Sequence, residues 1–290
     1  MSDLQYWEEL RSADSDQLVL VVDWPVTETD VEGYRDLVSL MDTPHTVWRT
    51  RGTARALPWD AEIEEYVRPL TREIRESGLK VRAVLACGVA GVLAAVLSET
   101  VAAWQETFPE ILLIDPEFVD TDGVYDEFLA LIDDLSQPAG PDRLTRLRES
   151  AASVVAACGD DPTALATRLH ALLVEAGTSP TSAADRPSTP RTTIGTPSTT
   201  QVSGAMGALE RAAARLCVLA VADRADVIQL WARGTALCSS TTSSGLSRTR
   251  AALLLPEAEL VGTEITFDIE HDGMLKDASV ARTVRELIGA

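Results

Sequence analysis

Lysine is almost missing from this chain: of 290 residues only Lys80 and Lys276 are lysines, and arginine carries the remaining positive charge. The 45 acidic residues outnumber the 25 basic ones, for a formal net charge of −20. So acidic a surface repels phosphate backbones and anionic headgroups, which argues against nucleic acid and membrane as partners. Cysteine is scarce as well. Cys87, Cys158, Cys217 and Cys238 show no CxxC or Cys/His ligand spacing, so no metal is expected. No apolar run is long enough to span a bilayer. The N-terminal "MSDLQYWEEL" lacks the basic start and apolar core of a secretion signal. The expectation is a soluble, cytoplasmic protein with reduced thiols.

Apolar residues make up 46% of the chain, enough for a sizeable core. In the first half, apolar strand-like runs alternate with helical patterns. "QLVLVVDWP" (17–25), "HTVWRT" (45–50), "KVRAVLA" (80–86) and "EILLID" (110–115) read as strands. Between them, "DVEGYRDLVSLM" (30–41) reads as a helix capped by Asp30. "WDAEIEEYVRPLTREIRESG" (59–78) reads as a helix bent at Pro69 and stopped by Gly78. "VAGVLAAVLSETVAAWQ" (89–105) is a third helix. Strands apolar on both faces predict a mostly parallel sheet with helices on both sides.

From Val124 to Ala176 three helical segments follow one another without a strand, with Asp142 and Asp161 as N-caps. They suggest a helical cap inserted into the alternation. Residues 177–204 are rich in Ser, Thr and Pro, with little to bury, and read as a disordered or mobile loop. Next come a helix over 206–222, a strand at "ADVIQLWARGT", a polar loop at "ALCSSTTSSGLSRTRA", a strand at "EITFDIEH" and a closing helix at "DASVARTVRELIGA". The predicted organisation is a first core segment over 1–122, a cap over 123–176, a loop over 177–204 and a second core segment over 205–290.

In an open α/β sheet, ligands collect at the carboxyl ends of the strands. Three positions stand there: the turn Cys87-Gly88, Asp115 and His271. Nucleophile, acid, then histidine is the chain order of the α/β-hydrolase triad. A nucleophile elbow needs small neighbours, and the turn Ala86-Cys87-Gly88-Val89-Ala90-Gly91 has them, but it has no serine. In the triad, histidine is the general base and the carboxylate fixes its tautomer. His45 starts a strand and His170 sits in a cap helix, so both rank below His271. Asp120, Asp122 and Asp272 rank below Asp115. The hydroxyl-rich "SSTTSSGLS" (239–247) stands on no strand-to-helix elbow.

These segments resemble the thioesterase family of polyketide and nonribosomal-peptide biosynthesis. "AVLACGVAGVLAAVLSETVAAW" is similar to that family's elbow strand and helix. "EILLIDPEF" is similar to the strand ending in its aspartate, and "EITFDIEHDGMLKDASVARTVRELI" to its histidine strand and last helix. "LVLVVDWP" resembles its first core strand. The resemblance implies an α/β-hydrolase-like fold and an acyl or peptidyl substrate, held as a thioester on the phosphopantetheine of a carrier protein. It implies no further cofactor. It assigns Asp115 and His271 to the triad, and oxyanion or pocket roles to Trp24, Val26 and Val89; Pro25, lacking an N–H, cannot donate.

Setting the family's G-x-S-x-G in register with the helix puts the nucleophile position on Gly88, with alanines for both flanking glycines. A shift of one residue puts it on Cys87 but sets bulky Leu85 and Val89 where small residues are needed. Three functions follow. Cys87 or a positioned water attacks the thioester to release, cyclise or transfer the acyl group, the His271/Asp115 pair works as a non-hydrolytic acid–base catalyst, or the chain is a pseudo-thioesterase. The last would bind a carrier-linked intermediate or a partner enzyme. "RTRGTAR" (49–55) is a local basic cluster, either a solvated loop or a contact for phosphopantetheine phosphate or an acidic carrier protein.

Overall fold

A computed structural model describes residues 4–23, 31–51, 63–134, 141–178, 224–254 and 257–289. The Asp30 cap, Trp24, Val26, residues 52–55 of the basic cluster and the helix over 206–222 lie outside the described residues. So does the predicted loop from residue 179 on. Contacts group the described residues into two compact units. One takes in those up to 119 and from 224 on; the other runs from 120 to 178.

The first unit is built on a sheet of β1 (Trp7–Arg11), β2 (Gln17–Val22), β3 (Thr46–Thr50), β4 (Lys80–Cys87), β5 (Glu110–Ile114), β6 (Thr235–Cys238) and β7 (Thr263–Thr266). Their order is β1-β3-β2-β4-β5-β6-β7. β1 pairs antiparallel with β3, and every other pairing is parallel. Central β2 is buried from Leu18 to Val22 and β5 from Ile111 to Ile114, as expected of strands covered on both faces.

Helices α1 (Val31–Met41), α2 (Ile63–Ser77) and α3 (Ala90–Ala102) connect these strands. α1 buries Tyr34, Leu37, Val38 and Met41, the stripe its spacing predicts. α2 stays helical through Pro69. α3 is buried along most of its length, including Ala90, Gly91, Ala94 and Ala95. Its small residues let the helix approach the sheet closely: a Cβ on Gly91 would stand 3.1 Å from the Trp231 ring and 3.3 Å from Leu113.

The second half departs from the sequence reading in three places. "ADVIQLW" is not a strand but part of helix α7 (Arg224–Trp231). The chain turns at Gly234, where a Cβ would meet the Ile111 carbonyl oxygen at 2.8 Å, and β6 begins only at Thr235. The stretch expected as polar loop holds most of β6 and helix α8 (Gly245–Ala252). The last strand ends at Thr266, and a 3₁₀ turn spans His271–Lys276 before α9 (Ala278–Leu287). The Asp277 carboxylate caps α9, accepting from the Ser279 and Val280 N–H groups. β1 has no sequence signal, because "WEELR" is an edge strand defined by pairing rather than apolar alternation.

The second unit contains the predicted helical run as α4 (Thr121–Asp134), α5 (Pro141–Cys158) and α6 (Pro162–Thr178). Asp161 caps α6, its carboxylate accepting from the Ala164 N–H at 2.9 Å. Asp142 lies inside the first turn of α5 rather than at its cap. α6 extends through Gly177 and Thr178, two residues into the span read as loop.

Trp231 ties α7 to α3 in the first unit. It is fully buried, donates from Nε1 to the Gly91 carbonyl at 3.0 Å and stacks on Phe118 with ring centroids 4.7 Å apart. Trp231→Ala removes that packing and the indole hydrogen bond. It is expected to cost about 3–5 kcal/mol, read as a lower denaturation midpoint by chemical unfolding.

Candidate active site

Segments leaving the carboxyl ends of β4, β5, β6 and β7 build the site, all in the first unit. β4 runs out at Cys87, and Gly88 turns the chain into α3 with φ +57°. The Gly88 N–H donates to the Ile114 carbonyl at 2.9 Å, and the Gly88 carbonyl accepts from Gly91 N–H at 3.1 Å. The turn is thereby anchored to β5 on one side and to the helix on the other. A positive φ of this size is cheap for glycine and strained for a residue with a Cβ. Around Gly88 there is space: among the described residues, a Cβ there would meet only one atom within 4 Å, Glu117 Oε1 at 4.0 Å.

Asp115 stands one residue past β5. It is 2% exposed and itself has φ +43°. Its N–H donates to the Leu237 carbonyl at 3.0 Å, which fixes the backbone against β6. Its Oδ1 accepts from the Ser239 N–H at 2.7 Å, and its Oδ2 lies 2.8 Å from His271 Nδ1. Gly245, at the start of α8, presses on it so closely that a Cβ would come within 3.0 Å of the aspartate. Burial raises the Asp115 pKa, but the hydrogen bonds from His271 and Ser239 outweigh it and hold the carboxyl below its ordinary value.

His271 opens the 3₁₀ turn, and its backbone N–H donates to Thr241 Oγ1 at 3.0 Å. The Thr241 hydroxyl in turn donates to Glu270 at 2.6 Å. The bond to Asp115 raises the His271 pKa. Burial opposes it, and the charges of Asp115, Glu117 and Asp272 add to it. With Nδ1 tied to a carboxylate, Nε2 is the ring nitrogen left for proton exchange.

Of the residues singled out in the sequence, Asp115 and His271 meet directly, and Gly88 holds the elbow conformation. Cys87 is half-buried and packs with Ala83 and Leu85 on one core face, which also includes Tyr34 of α1. Val89 is the residue preceding α3, with ordinary right-handed backbone angles. His45 stands one residue before β3, at the amino end of that strand and away from the carboxyl ends of its parallel neighbours, and His170 belongs to the second unit. The Asp120 carboxylate accepts from the Gly123 N–H at the start of α4, and Asp122 and Asp272 are exposed. Arg49 of the basic cluster is not a solvated loop residue. It is 5% exposed, 3.4 Å from Asp23 and 3.6 Å from Glu8. Cys238 is buried, and burial chiefly pushes its thiol up to about 12.

The sequence reading misses the supporting cast: the Ser239 amide, Thr241, Gly245 and Glu117. "DPEF" and "SSTTSSG" show polar residues there, but no spacing rule says which of them turns inward. Among the described residues no group of three or more His, Cys, Asp or Glu side chains is arranged to hold a metal ion. No helix among them is long and apolar enough to cross a membrane.

No known family model matches the chain, and no curated protein does. Solved structures do. The enol-lactonase from Burkholderia xenovorans matches with a TM-score of 0.53 at 14% identity, over 98% of this chain and 96% of its own. A hydrolase from Oleispira antarctica matches with a TM-score of 0.53 at 12% identity, over 99% and 96%. The NocB thioesterase domain of the nocardicin cluster matches at a lower TM-score, 0.49, with 13% identity over 98% and 99%. At such identities the likeness concerns architecture alone, and the architecture is the α/β-hydrolase fold.

Two expectations follow. Gly88→Ala meets no steric barrier among the described residues, so its cost is backbone strain, roughly 1–2 kcal/mol in chemical unfolding. The Asp115–His271 pair makes stability depend on pH. Because the His271 pKa is raised on folding, its contribution is present below the unfolded value of about 6.5 and lost as pH rises through the folded one. Because the Asp115 pKa is lowered, its contribution is present above about 3.9 and lost as pH falls through the folded value. The stability gap between wild type and His271→Ala should therefore peak between about pH 4 and 6.5 and shrink on either side.

Proposed function

We propose that this chain is a thioesterase-like catalyst. It acts on an acyl or peptidyl group held as a thioester on a carrier protein's phosphopantetheine arm. His271 is its acid–base group, Asp115 orients it, and no acyl-enzyme forms. The observation that carries the reading is the 2.8 Å Asp115–His271 contact beside an elbow whose turning residue is Gly88. The pair is what acyl-transfer chemistry needs for proton movement, and the glycine supplies no oxygen or sulfur for covalent attack. The thioester substrate and the setting in polyketide or nonribosomal-peptide assembly rest on the resemblance of the elbow, aspartate and histidine segments. The α/β-hydrolase fold agrees with it.

His271 is suited to act as an acid. Its partner carboxylate favours the imidazolium, which can protonate a leaving thiolate or a developing oxyanion. Cys87 is the residue a covalent route would use. Its place on the core face with Ala83 and Leu85 supports the non-covalent route instead. A binding role without turnover is the second reading, favoured by the missing side chain at Gly88.

Intact-mass analysis and turnover with an acyl-pantetheine thioester separate these readings. The expected result is turnover without a mass adduct, reduced about 10²–10⁴-fold in His271→Ala and retained in Cys87→Ala. An adduct on wild type that disappears in Cys87→Ala would overturn the non-covalent route. Binding of the carrier-linked thioester with no turnover would leave the pseudo-thioesterase reading in its place.

A further inference from the structure

We infer that Glu117 is a catalytic residue of this site: its carboxylate is the general base that activates a water at the position left open by Gly88. The inference rests on the thioester reading above and names the group that reading lacks, an activator for the attacking oxygen.

Three observations place Glu117. It lies two residues past Asp115, on the segment leaving β5, and its N–H donates to the Gly88 carbonyl at 3.4 Å. Its Oε2 accepts from the Gly245 N–H at 3.2 Å, at the start of α8. Among the described residues, its Oε1 is the one atom within 4 Å of the point where a side chain on residue 88 would begin. The carboxylate thus borders the volume that a nucleophile's side chain fills on an ordinary elbow. A water occupying that volume stands beside a carboxylate oxygen.

The electrostatics divide the labour. The Gly245 amide at the start of α8 holds one Glu117 oxygen and leaves the other directed at the space beside Gly88. His271 is close enough for the Glu117 charge to add to the rise in its pKa, so it is held as an acid. An acid and a base around one reaction centre are what direct hydrolysis requires. In the step, the water oxygen bonds to the thioester carbonyl carbon while its proton passes to Glu117. The carbon–sulfur bond then breaks, and the sulfur leaves as a thiol with the proton from His271 Nε2. The products are a carboxylic acid and the free thiol. Solvent carries the proton from Glu117 back to His271.

The test uses the full chain with an acyl-pantetheine thioester. Glu117→Gln keeps an acceptor for the Gly245 N–H and removes only the basicity. It is expected to lower kcat about 10²–10³-fold with KM within about threefold, and to abolish the acidic limb of the pH–rate profile. Formate should restore part of the activity of Glu117→Ala, a rescue that a purely structural carboxylate would not show. Thermal unfolding of each variant at wild-type Tm excludes loss of folding as the cause. Wild-type kcat in Glu117→Gln overturns the assignment. So does heavy oxygen in Glu117 after turnover in H₂¹⁸O, because it marks the carboxylate as the nucleophile. A wild type inert toward thioesters removes this assignment and the proposed function together. An active wild type with an unaffected Glu117→Gln removes this assignment alone.

Discussion

The buried carboxylate of Asp115 is the constraint around which the site is arranged. A carboxylate that is 2% exposed is expensive unless each oxygen has a donor. Here one oxygen has the Ser239 amide and the other has His271 Nδ1. Those two donors come from after β6 and after β7, so satisfying one residue just past β5 fixes the ends of three parallel strands. Gly245 completes the arrangement, since any side chain at that position would collide with the aspartate. The positive φ of Asp115 fits the same picture. Aspartate tolerates the left-handed region better than most residues, and the hydrogen bonds on both sides of it hold it there.

The turn at Gly88 shows how a backbone feature can be held without help from a side chain. The sharp turn between β4 and α3 is held by main-chain hydrogen bonds to Ile114 and Gly91, neither of which needs a side chain at residue 88. A nucleophile at such a turn carries strain, and glycine carries none. Glycine at residue 88 therefore holds this geometry without backbone strain. The small residues beside it, Ala90 and Gly91, serve packing as well as access: α3 lies close against β5 and Trp231, and larger groups would not fit. A run such as "ACGVAGVLAAVL" is thus consistent with a working elbow and with a vacated one.

How much is legible varies with the kind of physics involved. Central strands and amphipathic helices declare themselves because burial on two faces or one stripe leaves a period in the sequence. β2, β4, β5, α1 and α3 are of that kind. α7 reads wrongly as a strand because "VIQLW" is a short apolar run, and such runs suit strand and helix equally until Gly234 and the approach to Ile111 are known. β1 goes unseen and β7 is overextended because edge strands are defined by their partners. Within the site, Asp115 and His271 are legible from their places at strand ends. Glu117, Thr241 and Gly245 are not, since their roles come from loops that meet only when three strands are aligned.

The sequence by itself determined the alternation of buried strands and helices, the run of helices that interrupts it, and the order of elbow, aspartate and histidine along the chain. These are one-dimensional properties, set by hydrophobic period and residue order. Only the tertiary structure decided that Asp115 and His271, 156 residues apart, stand at hydrogen-bond distance. Only it decided that the elbow's left-handed turn falls on Gly88 and not on Cys87, and that Glu117 borders the space this leaves. The physical reason is that contact distance and backbone angle follow from strand register and loop closure, which depend on the whole sheet.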